Sequence, residues 1–284
     1  MSNVKIRRNF SLSIVTVNLN NSLGLAKTIA SIDDQQISSF EHIVVDGLST
    51  DGSLEVLERR CYKKFFLKEN SKKVYISEKD SGIYNAMNKG LSLANGKFIM
   101  FLNSGDTLKS KDTINLITGS QDDYDVLYGG ISTVRHPHNV MPNFNHQHPW
   151  TPYLHLPFHP AYICETDLLR SLGGFNERYK LVADIDAIER TLRSARKIKR
   201  IDASLVIFDL GGVSSKKENY PIILRERMTL PAPKNSGYFS GLVRANCSAL
   251  ESLKLVGVGS RGQLWIYISI LRLWYSFREL FRDR

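Results

Sequence analysis

Residues 77–106 read SEKDSGIYNAMNKGLSLANGKFIMFLNSGD. Asp80 and Gly82 mark a loop. Ile83, Ala86, Met87, Leu91 and Ala94 then recur at helical spacing and predict one apolar stripe. Asn95-Gly96 is expected to stop that helix, because Gly is the least penalised residue in a left-handed cap. Residues 98–102, FIMFL, suit a strand buried on both faces. The run ends in Asn103, Ser104, Gly105 and Asp106. In an open parallel sheet, ligands gather beyond the carboxyl ends of the strands. An apolar strand ending in a polar cluster with a carboxylate is therefore a candidate site. Taken alone, the stretch reads equally well as a helix cap and a polar turn.

Upstream the pattern repeats. SLSIVTV predicts a strand over 12–17 ending in Asn18, and Leu23, Ala26, Ile29, Ala30 and Ile32 follow at helical spacing. EHIVVD predicts a second strand ending in Asp46. Ser49 or Thr50 is then the expected cap of a helix carrying Leu54, Leu57 and Cys61. VYIS, 74–77, is a third strand. Strands alternating with helices argue for a parallel α/β sheet covered on both faces. The expected strand ends, at Asn18, Asp46, Ser77-Glu78 and Asn103, would meet at one edge.

Downstream, strands are expected at 125–131, 161–164 and 205–208, and helices at 165–172 and 184–197. Residues 136–160 are rich in Pro, His, Asn and aromatics and have no period, so they read as one long irregular segment. Residues 211–240 read mostly as loop, with a short helix around Leu224. Residues 262–284 have the length of a helix, with Trp265, Tyr267, Trp274 and Tyr275 among aliphatics and Arg261, Arg272, Arg278, Arg282 and Arg284 interspersed or flanking. They carry too many charges to span a bilayer and read as an amphipathic helix at an anionic membrane surface. The same stretch also suits packing on a protein.

The chain has 284 residues, of which 42% are hydrophobic and 23% charged, which calls for a packed core rather than disorder. A net charge of +10 favours nucleic acid, anionic lipid or a phosphorylated substrate. No zinc-finger spacing or RRM signature supports nucleic acid. Three scattered cysteines, Cys61, Cys164 and Cys247, argue against a disulfide framework and fit a reducing compartment. The basic N-terminus has no apolar run behind it, so no secretory signal is expected.

VDGLSTDGS after a strand, SEKDSGIYNAMNKG, and FLNSGD after a strand, in that order, resemble the family 2 glycosyltransferases. The likeness is to the subgroup of colanic-acid-type exopolysaccharide transferases, and it covers roughly residues 11–193, including HPAYICETDLLRSLGGFNERYKLVADIDAIER. The resemblance implies a GT-A fold within 1–210. A nucleotide-sugar half would occupy about 11–106 and an acceptor half about 107–210, followed by a C-terminal extension, 211–284. It implies that Val17 and Asn18 meet the nucleotide, that Asp46 reads the base, and that Asp80, Asn85 and Lys89 line the nucleotide-sugar, with Asn103 and Ser104 at the same strand end. Asp106 matches the carboxylate that binds a divalent cation, Mg or Mn. Asp184 matches the general base, with Asp186 next, and His159 matches a histidine on the acceptor side. The function implied is inverting sugar transfer from a nucleotide diphosphate to a glycan, with a lipid-linked acceptor at the cytoplasmic face of a bacterial membrane. The chain departs from the family at three places: Gly105 stands where an acidic residue is usual, Leu48 where Gly is common, and Asn85 where Asp is common. The thinned acidic motif leaves open a scaffold or binding protein of the same fold.

Blander roles stand beside these. Asp80 suits a helix cap. Asp184 and Asp186 suit a helix start, where carboxylates favour the dipole. His146, His148, His155 and His159 lack the spacing of a zinc site. The basic residues of 190–200 suit a solvated helix face.

Overall fold

The computed structural model describes residues 10–36, 39–60, 62–64, 73–120, 123–134, 138, 140–142, 156–212 and 216–230. The first half contains β1 (Phe10–Asn18), α1 (Ser22–Asp33), β2 (Phe40–Asp46), α2 (Ser53–Arg59), β3 (Lys63–Lys64), β4 (Lys73–Ser77), α3 (Ile83–Leu93) and β5 (Gly96–Phe101). Then come β6 (Thr107–Leu108), α4 (Thr113–Thr118), β7 (Val126–Thr133), β8 (Tyr162–Glu165), α5 (Thr166–Ser171), α6 (Ala183–Ser194) and β9 (Ile198–Phe208). Among the described residues the nine strands form one sheet in the order β3-β4-β2-β1-β5-β8-β7-β9-β6. α7 (Tyr220–Thr229) lies in a second unit, 144–155 with 210–284, separate from the unit of 1–143 with 156–209.

The expected parallel sheet holds for β3, β4, β2, β1 and β5. It fails beyond β5, where β8 runs antiparallel to both β5 and β7 and β6 runs antiparallel to β9. Strand–helix–strand crossovers impose the parallel direction, and the chain from β5 to β8 is not such a crossover. β9 is longer than expected and α6 stops before Lys197. β3, β6 and α4 are too short to show a period, and the sequence reading missed them. The proposed helix at 262–284 lies outside the described residues. Among the described residues no helix is long and apolar enough to cross a membrane.

The junction between α3 and β5 corrects the expected glycine cap. The helix ends at Ala94 in extended backbone (φ −65°, ψ 131°), and Gly96 already belongs to β5. A Cβ on Gly96 would lie 2.5 Å from the backbone N of Ser13, so glycine is needed for close strand approach. Buried Glu41 fixes this junction by accepting hydrogen bonds from Ser13 Oγ (2.6 Å), the Gly96 N–H (3.1 Å) and the Asn95 N–H. The start of α2 differs as well. Its N-cap is Gly52, with φ +90°, and not Ser49 or Thr50. Asp51 accepts from the Ser53 N–H and Oγ, while Ser49 turns back towards β2.

Candidate active site

Register brings three of the expected strand ends into one row, with Asn18 opposite Asp46 and Asp46 opposite Ser77. Asp46 is 0% exposed. Its Oδ1 accepts from Asn18 Nδ2 (2.8 Å) and Ser49 Oγ (2.5 Å), and its Oδ2 accepts from the Ser49 N–H and Ser77 Oγ, both at 2.9 Å. The carboxylate matched to base reading is thus committed to holding three strand ends and a turn. Asn18 also donates to Ser53 Oγ at 3.0 Å, while its buried Oδ1 has no partner among the described residues. An unpaired buried carbonyl costs desolvation, so it marks a place where a ligand donor would be favoured.

The turn beyond β2 keeps Leu48 at φ +62°, a left-handed conformation in which a leucine is strained, with its side chain 53% exposed. Asp80 packs over this turn, where a Cβ on Gly47 would lie 2.6 Å from Asp80 Oδ2. It also accepts from the Gly82 N–H at 3.0 Å without capping α3. Lys89 clamps the same loop, donating to Glu78 Oε1 (2.7 Å) and the Lys79 carbonyl (2.8 Å). Asn85 donates to Glu177 Oε2 (3.1 Å) and Asn88 to Glu177 Oε1 (2.8 Å), so α3 holds a carboxylate from the segment between α5 and α6. An aspartate at 85 would repel Glu177, which gives the departure from the family a local reason.

Beyond β5, the Ser104 N–H donates to the Val17 carbonyl at 3.2 Å and Ser104 exchanges hydrogen bonds with Asn21. The buried Asn103 Oδ1 has no partner among the described residues. Asp106 is 3% exposed, and its Oδ1 accepts the Asp209 N–H at 2.8 Å. The antiparallel pairing of β6 with β9 sets Asp209 there. Burial pushes the Asp106 carboxyl up to about 7; the charge of Asp209 pushes the same way, and the N–H bond opposes both. Gly105 has φ +110°, and a Cβ on it would lie 2.7 Å from Asp209 Oδ2. Asp209 thus fills the space that a side chain at 105 would take, so a second carboxylate is present after all, from the end of β9. Sequence reading missed it, although an aspartate after the apolar run LVIF carries the same strand-end signal as Asn18 and Asp46.

Further along the chain, α6 begins with Asp184 and Asp186 in its first turn. Two residues on a helix are about 200° apart around the axis, so the two carboxylates face different ways. Asp186 is held by Arg190 at 2.8 Å, and Arg190 also donates to the Leu172 and Gly174 carbonyls. Asp184 accepts at Oδ1 from the Tyr84 hydroxyl at 2.9 Å, which joins α6 to α3. Tyr84 stacks on Phe175 (5.9 Å, 21°), Phe175 meets Phe101 edge-on (4.9 Å), and Phe101 stacks on His159 (6.2 Å). His159 and Asp184 line one cavity of about 20 Å³, too small for a sugar. Burial lowers the His159 pKa and the charge of Asp184 opposes that shift. Among the described residues no cluster of three or more His, Cys, Asp or Glu forms a metal cage. His146, His148 and His155 lie outside the described residues.

The model of the family described as "Glycosyl transferase family 2" matches residues 13–169. The chain belongs to glycosyltransferase family 2. A relative, the PGL/p-HBAD biosynthesis glycosyltransferase of Mycobacterium bovis, is 28% identical over 186 residues, 61% of this chain and 66% of that protein. The chain therefore spans just under two thirds of that relative's length. Among solved structures, S. aureus TarS 1-349 in complex with UDP-GlcNAc superposes with a TM-score of 0.62 at 19% identity, covering 92% of this chain and 80% of that one. The mannosyltransferase PcManGT from Pyrobaculum calidifontis, in complex with GDP-Man and Mn2+, superposes at 0.55 and 14% identity, covering 96% and 88%. The fold is the GT-A arrangement of this family.

Proposed function

We propose that the protein is an inverting, nucleotide-sugar-dependent glycosyltransferase that extends a lipid-linked glycan in bacterial surface polysaccharide biosynthesis. The observation that carries this reading is Asp184. Among the described residues it is the first-turn carboxylate of α6 not held in an ion pair, and Tyr84 joins it to the helix beside the strand-end row. In the proposed step Asp184 takes the acceptor hydroxyl proton as that oxygen bonds to the anomeric carbon. The bond from that carbon to the diphosphate breaks on the opposite face. Val17, Asn18, Asp46, Asp80, Asn103 and Ser104 form or brace the donor edge; Asn85 and Lys89 hold the loops around it.

Asp106 fits a divalent cation, Mg or Mn, because a buried carboxylate held near neutrality beside Asp209 is relieved by positive charge. Two carboxylates are enough when phosphate oxygens and water complete the shell. When bound, the cation neutralises the charge gathering on the leaving diphosphate. Release of nucleoside diphosphate from a panel of nucleotide-sugars, with Mg²⁺ or Mn²⁺ and with EDTA, tests the activity. One donor should be turned over with metal and none in EDTA. No release from any donor would leave the scaffold reading standing.

The acceptor places the enzyme on the inner face of the cell membrane, with residues 262–284 as the contact. Deleting 263–284 should abolish sedimentation with vesicles containing anionic lipid. Undiminished binding by the truncated chain assigns the membrane contact elsewhere.

A further inference from the structure

Asp184 is a half-buried carboxylate whose holding group comes from α3, 100 residues away in sequence. Tyr84 sits in the first turn of α3, is 6% exposed, and is fixed in three ways. Its hydroxyl donates to Asp184 Oδ1, its ring stacks on Phe175, and Phe175 is itself clamped by Asn88. That clamp runs from Asn88 Nδ2 to the Phe175 carbonyl (2.9 Å) and from the Phe175 N–H to Asn88 Oδ1 (2.8 Å). Such a chain fixes a side chain without a salt bridge, because each link is short, planar or bidentate.

We infer that Tyr84 is a positioning residue for the transfer step, using its hydroxyl to hold Oδ1 of Asp184 so that Oδ2 alone faces the acceptor hydroxyl. This rests on the assignment of Asp184 as the base. In the step, the acceptor O–H breaks and its proton passes to Oδ2, the acceptor oxygen bonds to the anomeric carbon, and the diphosphate leaves with the electron pair of the broken bond. Tyr84 keeps its own proton throughout. Fixing one oxygen removes a rotation that would otherwise be lost in the transition state. Because Tyr84 belongs to α3, which holds the Glu78–Asp80 loop through Lys89, the orientation of the base depends on the helix that borders the donor edge.

Among the described residues, four titratable groups surround Asp184 from other elements. Tyr84 comes from α3 and His159 from the helical turn before β8, while Tyr162 and Cys164 of β8 line the same cavity. On α6 itself, Asp186 is paired with Arg190.

The test is kcat and the donor KM for the full chain and for Tyr84→Phe, which keeps the ring and its stack. The variant should lose roughly 10- to 100-fold in kcat, the range of a hydrogen bond to a charged group. The donor KM should stay near the full chain's value, showing an intact donor edge. Adding Tyr84→Phe to Asp184→Asn should change kcat no further. Unchanged kcat overturns the inference while leaving Asp184 as the base. So does a fall in kcat matched by a comparable rise in donor KM, or additive losses in the double variant. If Asp184→Asn itself keeps full activity, it is the underlying base assignment that fails.

Discussion

Asp184→Asn is expected to lower the transfer rate by about 10²- to 10⁴-fold, the range over which a positioned general base acts. Asparagine has the same shape and still accepts from the Tyr84 hydroxyl, so α6 and α3 stay joined and donor affinity stays near the wild-type value. What is lost is the lone pair that takes the acceptor proton. The comparison is Asp186→Asn, which breaks the pair with Arg190 and should act on stability rather than on the chemical step. Steady-state rates for both variants at saturating donor separate the assignments. A wild-type rate for Asp184→Asn beside a collapsed rate for Asp186→Asn would move the base by two residues.

Asp106→Asn should have two effects of opposite sign. Metal-dependent transfer should fall by at least a hundredfold, because the buried carboxylate proposed to meet the cation is gone. The metal-free fold should become more stable at pH 8. The sign follows from linkage. The folded pKa of Asp106 is raised from 3.8 to about 7, so its contribution is fully present below the unfolded value and is lost as pH rises through the folded one. Ionising this group above pH 7 costs the native state on the order of 2–4 kcal/mol. Asparagine removes that cost and keeps an oxygen for the Asp209 N–H. Thermal melts without metal should therefore place the variant above wild type at pH 8, with the gap closing towards pH 4. Adding Mg²⁺ or Mn²⁺ should raise the melting temperature of wild type and leave the variant unmoved. A metal-induced shift of equal size in both proteins would remove Asp106 from the cation site.

The alternation of strands and helices and the polar strand ends were readable in the sequence because both are local. Period and termination depend on residues a few positions apart, and register then aligns Asn18, Asp46 and Ser77 without further information. Functions of distance were hidden. Gly96 has the same neighbours in sequence whether it serves a left-handed cap or a close strand contact, and only Ser13, 83 residues earlier, tells them apart. Tyr84 falls within the helical stretch read for its apolar stripe, and nothing near it announces a carboxylate partner. Asp184 and Asp186 are equivalent as sequence, and the carbonyls of Leu172 and Gly174 that recruit Arg190 make them different. Asp209 lay past the end of the family resemblance, so its strand-end signal went unweighed.

The order of strands in the sheet bears on how the chain is assembled. β5 lies in the middle, with β1 on one side and β8 on the other, yet β8 is made some sixty residues later. A growing chain that has reached Asp106 holds the whole donor edge but shows an open strand edge along β5, the kind of surface that pairs with other chains. The N–H that bonds Asp106 arrives 103 residues after it. Donor half and acceptor half are names for two sides of one sheet. As folding units they are inseparable, and the proposed cation site at Asp106 is among the last parts of that sheet to be completed.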